Sequence, residues 1–286
     1  SDADILVIGA GGGRDVLAAV VSGQRSVTAV EVNRNIVRAV NEVFGDFTGH
    51  LDRLPGVKFV VDEGRSYVGR QPKSSFDILQ VSFIDTVAAS AAGAYAFVEK
   101  GLYTVEAWKV FLSKLKPRGM LTFSRFYYGS ANWPVEVFRT MSLASAALRA
   151  HGVADPSGHL LLVRTRGSAA NEAAATILVS PDSFSPEDLR KADAACARLF
   201  CEVAFGGGKS LDPAFDFIVK QTKPAEFDRL FPLDITAPTD NRPYFFFHAR
   251  ARDILRGKKE AASFGGSSFN TPAVEILLRL AALTSA

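Results

Sequence analysis

Short apolar runs alternate with longer amphipathic ones from Ile5 to about Ser124. The runs Ile5–Gly9, Ser26–Glu31, Val57–Val61, Phe76–Ser82 and Gly119–Ser124 carry Val, Ile, Leu or Phe on both faces, as strands of a buried parallel sheet do. Between them, Asp15–Ser22, Arg34–Phe47, Arg65–Gly69 and Val105–Leu115 read as helices. This rhythm predicts a doubly wound α/β sheet with right-handed crossovers. Ligands of such sheets bind beyond the carboxyl ends of the strands, near the point where strand order reverses. A further helix is expected at about Pro134–Arg149. The rhythm then changes, because His159–Thr165 and Ala174–Ser180 flank a polar link, Arg166–Glu172, and read as an antiparallel pair at one end of the sheet. Ser185-Pro186-Glu187 opens a helix that runs to Arg198. From Cys201 to Pro243 the pattern weakens around Gly206-Gly207-Gly208.

Composition narrows the class. The chain has 286 residues, with 33 Lys+Arg against 30 Asp+Glu and a formal charge of +3. With no concentrated basic face, it is not expected to bind nucleic acid. Its two cysteines, Cys196 and Cys201, lack CxxC spacing and read as reduced packing residues. His50, His151, His159 and His248 are scattered without ligand spacing, so no metal site is expected. The first residue is Ser1, and a strand begins almost at once, which leads us to expect a piece of a longer protein. The cluster Arg250, Arg252, Arg256, Lys258 and Lys259 reads either as a solvated helix end or as charge beside a membrane segment. The tail Pro272–Leu283 is too short and too charged to span a bilayer. It reads as an amphipathic helix packed on the domain, or as an approach to a missing span that would place the domain on the cytoplasmic side.

Gly9-Ala10-Gly11-Gly12-Gly13-Arg14-Asp15 joins the first strand to the first helix. Glycines there let backbone approach a ligand closely, and a helix start favours polar or anionic groups. Glu31 ends the second strand, roughly 20 residues beyond Gly9, where a carboxylate accepts hydrogen bonds from both ribose hydroxyls. Its alternative role is to cap the next helix. Together the turn and Glu31 predict a nucleoside-containing ligand. The dinucleotide fingerprint wants Gly or Ala where Arg14 stands, so S-adenosylmethionine, which has no phosphate to cradle, is favoured over NAD. After the third strand, Asp62, with Glu63 beside it, is placed to meet an adenine amine, or to cap the helix that follows. Ser82-Phe83-Ile84-Asp85-Thr86 leaves the fourth strand toward the same crevice. Asp85 is its one carboxylate and the candidate contact for a cationic or nucleophilic substrate, or else a surface Asp without a role.

The Gly-rich turn, Glu31, Asp62-Glu63-Gly64-Arg65, Phe76-Asp77-Ile78 and Glu99-Lys100-Gly101-Leu102-Tyr103-Thr104 resemble the spermidine synthase-like branch of the class I methyltransferase superfamily. Lys116-Pro117-Arg118-Gly119 also looks like that fold's turn before strand five. The resemblance covers about Asp4 to Ser180. It returns at Phe231-Pro232-Leu233-Asp234 and Thr239–Phe245, as in a bacterial group fused to membrane-spanning segments. It implies a mostly parallel seven-stranded Rossmann-like sheet with an antiparallel C-terminal strand pair and an α+β extension. The implied division is residues 1–182 as the S-adenosylmethionine-binding domain, 183–260 as an extension packed on it, and 261–286 as a tail.

The departures bear on the reaction. Spermidine synthases carry Asp-Ser-Ser-Asp after strand four, and the first Asp is taken to deprotonate the attacking amine. Aligned on Phe76-Asp77, that position is Ser82, and only the second carboxylate remains, as Asp85. A serine hydroxyl is no general base near neutral pH without a partner for its proton. The hairpin that covers the polyamine in those enzymes has no counterpart in this sequence. The resemblance thus implies a transferase that uses S-adenosylmethionine or its decarboxylated form. Gly9, Ala10, Gly11, Gly13, Glu31, Asp62 and Glu63 would hold the donor, Asp85 and Ser82 would sit at the reaction, and Tyr95, Glu99 and Tyr103 would line the pocket of a small-molecule acceptor. Methyl transfer fits the missing base, aminopropyl transfer fits the branch, and a nucleoside-binding regulatory domain without catalysis is the further alternative. A homodimer stays open. Asp240 and Arg242 are expected to pair with each other and pin a C-terminal strand whose Tyr244–Phe247 fills the sheet face, or else to close over the crevice.

Overall fold

The structure, a computed structural model, describes residues 2–84, 100–127, 134–166, 173–248 and 250. Its strands are β1 (Asp4–Ile8), β2 (Ser26–Glu31), β3 (Val57–Val61), β4 (Phe76–Ser82), β5 (Leu115–Tyr127), β6 (Leu160–Thr165), β7 (Ala173–Val179), β8 (Cys201–Gly206) and β9 (Lys209–Ser210). The α-helices are α1 (Arg14–Val21), α2 (Arg34–Arg38), α3 (Gly45–Thr48), α4 (Gly64–Arg70), α5 (Val105–Ser113), α6 (Val135–His151), α7 (Pro186–Arg198), α8 (Pro213–Lys220) and α9 (Pro224–Leu230). The strand order is β3-β2-β1-β4-β5-β7-β6-β8-β9, parallel from β3 through β5 and antiparallel beyond. Order reverses between β1 and β4, so the crevice at their carboxyl ends is where a ligand of this sheet belongs.

The expected seven strands are present, and the sheet has nine. β8 and β9 extend it as a hairpin turning through Gly206–Gly208, all three with positive φ. The apolar run Val203–Phe205 is only three residues long and β9 has only two residues, both exposed, which is why periodicity missed the pair. The expected helix Arg34–Phe47 is broken into α2, a π-helical turn at Ala39–Val43, and α3. The Phe44 N–H donates to the carbonyl of Ala39 rather than to its usual partner one residue nearer. Strand five is longer than expected, so Lys116-Pro117-Arg118-Gly119 lies within it as an irregularity, with Arg118 at φ 61°.

Each sheet face has its own core. Leu6, Leu79, Leu121 and Phe123 face α5, α6 and α8 through Trp108, Phe111, Phe138, Met141, Phe215 and Ile218. Ile5, Val7, Val27 and Ala29 face Val16 and Ala19 of α1. Beyond the centre, Leu161 and Val203 pack with Cys196 of α7. Cys196 and Cys201 are free thiols, and burial pushes the Cys196 thiol up to about 11. Residues Phe231–Phe246 return to the first face, where Phe231, Leu233, Ile235, Phe245 and Phe246 are buried.

Candidate functional site

The turn after β1 is tied to β2 by its backbone. The N–H groups of Gly9 and Ala10 both donate to the carbonyl of Val30, at 2.8 and 3.2 Å. Gly9 and Gly13 adopt φ 76° and 85°, a conformation that costs a side-chain-bearing residue energy. A Cβ on Gly9 would lie 2.3 Å from Cγ2 of Ile84, and one on Gly13 would lie 2.4 Å from Cδ1 of Leu51. Gly12 faces open space, leaving backbone accessible there.

Glu31 stands beside this turn and is 7% exposed. Its Oε2 accepts the Gly11 N–H and its Oε1 the Asn33 N–H, both at 3.0 Å. It does not cap the next helix, because Asn33 does so through the Asn35 N–H at 2.9 Å. Each carboxylate oxygen therefore retains acceptor capacity at the crevice. Asp62 does not cap its helix either. α4 begins at Gly64, one residue earlier than expected, and is capped by Glu63, which accepts the Arg65 and Ser66 N–H groups at 2.9 and 2.7 Å. Burial pushes the Glu63 carboxyl up, but those hydrogen bonds outweigh it and hold the group below its ordinary value. Glu63 is thus occupied by its own helix, while Asp62 accepts the Glu63 N–H at 2.8 Å and pairs with Arg70.

At the end of β4, Ser82 Oγ accepts from the Gln80 amide at 3.4 Å. Phe83 follows at φ 49° and Ile84 packs on Gly9. Asp85, Tyr95 and Glu99 lie outside the described residues. Tyr103 is 2% exposed, with its ring 4.8 Å from that of Phe245 and 5.1 Å from that of Phe123. It sits as a core residue just ahead of α5.

Two charged groups take contacts that the sequence did not announce. Arg125, on β5, is 4% exposed, pairs with Glu136 at 2.6 Å and lies 4.8 Å from the Phe246 ring centroid. Arg65 binds both oxygens of Asp240 at 2.7 Å. The cue for Arg125 was a charge inside the apolar run Leu121–Tyr127. For Arg65 there was none, since its partner is 175 residues away. Asp240 also accepts from Thr104 at 2.7 Å, and Arg242 turns instead to Asp234 at 3.5 Å. The expected Asp240–Arg242 pair is therefore replaced by two separate ones. The segment around it is a turn with one bridge, Thr239 to Arg242, and not a strand, though Phe245 and Phe246 do fill the sheet face. Arg250 donates to the carbonyls of Phe231 and Leu233 at 2.8 Å, clasping the same segment. The other members of the basic cluster and the tail lie outside the described residues. Among the described residues no three His, Cys, Asp or Glu side chains gather as a metal site, and no helix is long and apolar enough to cross a membrane.

No protein-family model matches the chain, and no curated protein matches it by sequence. Solved structures do match by fold. A probable spermidine synthase from Corynebacterium glutamicum aligns at 16% identity and TM-score 0.53, over 76% of this chain and 70% of that one. Spermidine synthase from Thermotoga maritima aligns at 16% identity and TM-score 0.45, over 79% and 68%. Human methyltransferase-like protein 13, in complex with SAH, aligns at 14% and 0.47, over 70% and 82%. The first of these carries the fold assignment, and none of the three bears on a membrane attachment. The chain therefore has the Rossmann-like fold of the class I methyltransferases, in the form it shares with a probable spermidine synthase.

Proposed function

We propose that this chain is a transferase that uses S-adenosylmethionine or its decarboxylated form. The observation that carries the reading is Glu31, a buried carboxylate at the carboxyl end of β2, hydrogen-bonded to the Gly-rich turn on one oxygen and to Asn33 on the other. Such a group holds ribose hydroxyls, and the open backbone at Gly11–Gly12 leaves room for the rest of the nucleoside. Asp62 would face the adenine amine from the end of β3. The Arg14 side chain at the fingerprint's last position disfavours a dinucleotide. In its reaction the donor supplies a carbon bonded to a sulfonium, and the protein's part is to position the acceptor against it. Ser82, a serine where a base would be expected, accepts from the Gln80 amide, which supports transfer to a small-molecule acceptor that needs no strong base, and so methyl over aminopropyl transfer. Asp85 would orient the acceptor. The same Ser82 environment supports a second reading, a nucleoside-binding domain without catalysis.

Calorimetric titration with S-adenosylmethionine, its decarboxylated analogue, methylthioadenosine and NAD tests the donor. Adenosyl-sulfur compounds are expected to bind, and Glu31→Ala is expected to lower their affinity at least ~30-fold, two hydrogen bonds to a charged group being lost. Binding of NAD alone would overturn the assignment. A preference for the decarboxylated compound would turn the reading to aminopropyl transfer.

A further inference from the structure

The ends of β4 and β5 carry an aromatic pair that the donor site does not use. Phe83 and Phe126 have ring centroids 4.7 Å apart, and Phe126 is 42% exposed. Strand alternation puts Phe126 on the sheet face that carries Ser124 and, through the Ser82–Ser124 register, Ser82. Phe83 would point to the opposite face in a continued strand. Its φ of 49°, unusual for a bulky residue, turns the ring back toward Phe126. Arg14, the first residue of α1, sets its guanidinium over the Phe83 ring, 5.7 Å from the centroid, with its Nε 3.2 Å from Asp15. Along that face follow the hydroxyls of Ser124 and Thr176, 2.9 Å apart. Ile84, next to Phe83, lies against Gly9 of the Gly-rich turn, so the aromatic pair borders the donor cradle.

We infer that Phe83, Phe126 and Arg14 form the acceptor site, and that the acceptor is an aromatic carboxylic acid whose own carboxylate oxygen is the nucleophile. Two rings tilted 51° to each other, one of them partly exposed, suit a planar apolar body. The Arg14 guanidinium over Phe83, with its Nε also meeting Asp15 at 3.2 Å, favours an anionic group beside the rings. The inference rests on the transferase reading above, gives the acceptor contact to Arg14 in place of Asp85, and accounts for Ser82, because a carboxylate has no proton to remove. In the transfer a carbon–oxygen bond forms to the donor carbon, the carbon–sulfur bond breaks with its electron pair on sulfur, and the negative charge of the acid cancels the positive charge of the sulfonium. No base takes part.

The test uses the full 286-residue chain. S-adenosylhomocysteine is titrated first by calorimetry, which reports on the donor site alone. Benzoate, cyclohexanecarboxylate and putrescine are then titrated into the loaded protein. Benzoate is expected to bind at least fivefold more tightly than cyclohexanecarboxylate, and putrescine not at all. Phe126→Leu and Arg14→Gln are each expected to weaken benzoate about five- to tenfold without changing S-adenosylhomocysteine affinity. Phe83→Gly removes the ring while easing its backbone, and is expected to lose benzoate with an unchanged or raised thermal midpoint. Putrescine binding in place of benzoate, or benzoate affinity indifferent to all three variants, would overturn the acceptor assignment. Loss of S-adenosylhomocysteine binding in the unaltered chain would instead overturn the donor reading.

Discussion

At Arg139 a guanidinium sits inside α6, the longest helix among the described residues, and donates to the carbonyls of Tyr244, Phe245 and Phe247 at 3.2, 2.7 and 2.8 Å while pairing with Asp234 at 3.1 Å. Burial pushes its pKa down to about 10, against the pull of Asp234, so it stays charged at neutral pH. Replacing it by Met strands three buried carbonyls and a carboxylate. Arg139→Met is expected to cost about 3–5 kcal/mol, read from urea unfolding. His248 lies nearby, where burial and the Arg139 charge hold its imidazole well below the ordinary 6.5. It is therefore neutral in the folded protein, while the unfolded chain takes up a proton there as pH falls through 6.5. Its stabilising contribution is present above that value and is lost below it. The thermal midpoint should drop between about pH 7.5 and pH 5.5, and His248→Leu should flatten that slope. Neither residue was legible as a core group in the sequence. An arginine on a helix and a histidine after four aromatics look like surface, and only the folded return of residues 231–248 encloses them.

Elements read well where one residue type fixed their ends. Ser26–Glu31, Val57–Val61 and Phe76–Ser82 match their strands to the residue, and Ser185 caps α7 in a reciprocal box with Asp188. The Gly-rich turn was legible for the same reason, since glycines at a strand-to-helix junction declare their backbone. Legibility failed where a partner is distant or a helix changes its winding. The stretch Arg34–Thr48 keeps a helical apolar pattern although a π-turn interrupts it, because one inserted residue hardly disturbs the periodicity. α4 shows how a distant element is fastened: its Arg65 and the Thr104 cap of α5 both meet Asp240. Arg65 and Thr104 hold that carboxyl below its ordinary 3.8, so its contribution is present above that value and is lost as pH falls through the lowered one. The ion pair is partly exposed, and Asp240→Asn is expected to cost only about 1 kcal/mol. A thermal midpoint unchanged within error would show the fastening to be dispensable.

Across the molecule, the sheet reads as one body although its sequence signal weakens from Cys201 on. β8 pairs with β6, and α8 packs on the face that holds α5 and α6, so the last third of the described chain completes a core begun by the first. A chain ending at Asp182 leaves Phe138, Phe123 and Tyr103 without Phe215, Phe231, Phe245 and Phe246. Such a chain is expected to lose its cooperative thermal transition, as followed by near-ultraviolet circular dichroism. A sharp transition would show the earlier part to be self-sufficient.

The late placement of those four phenylalanines also matters during synthesis. Trp108, Phe111 and Phe123 leave the ribosome a hundred residues or more before Phe245 and Phe246, which finally cover Tyr103 and Arg125. The face with α5 and α6 must wait as an open apolar surface, whereas the cluster under α1 draws only on the span from Ala3 to Ile78. Long-range closure of this kind is slow and exposes intermediates to aggregation. Yield in a cell-free translation should therefore respond strongly to added chaperone, and the gain should disappear once the 231–248 return is supplied early by circular permutation.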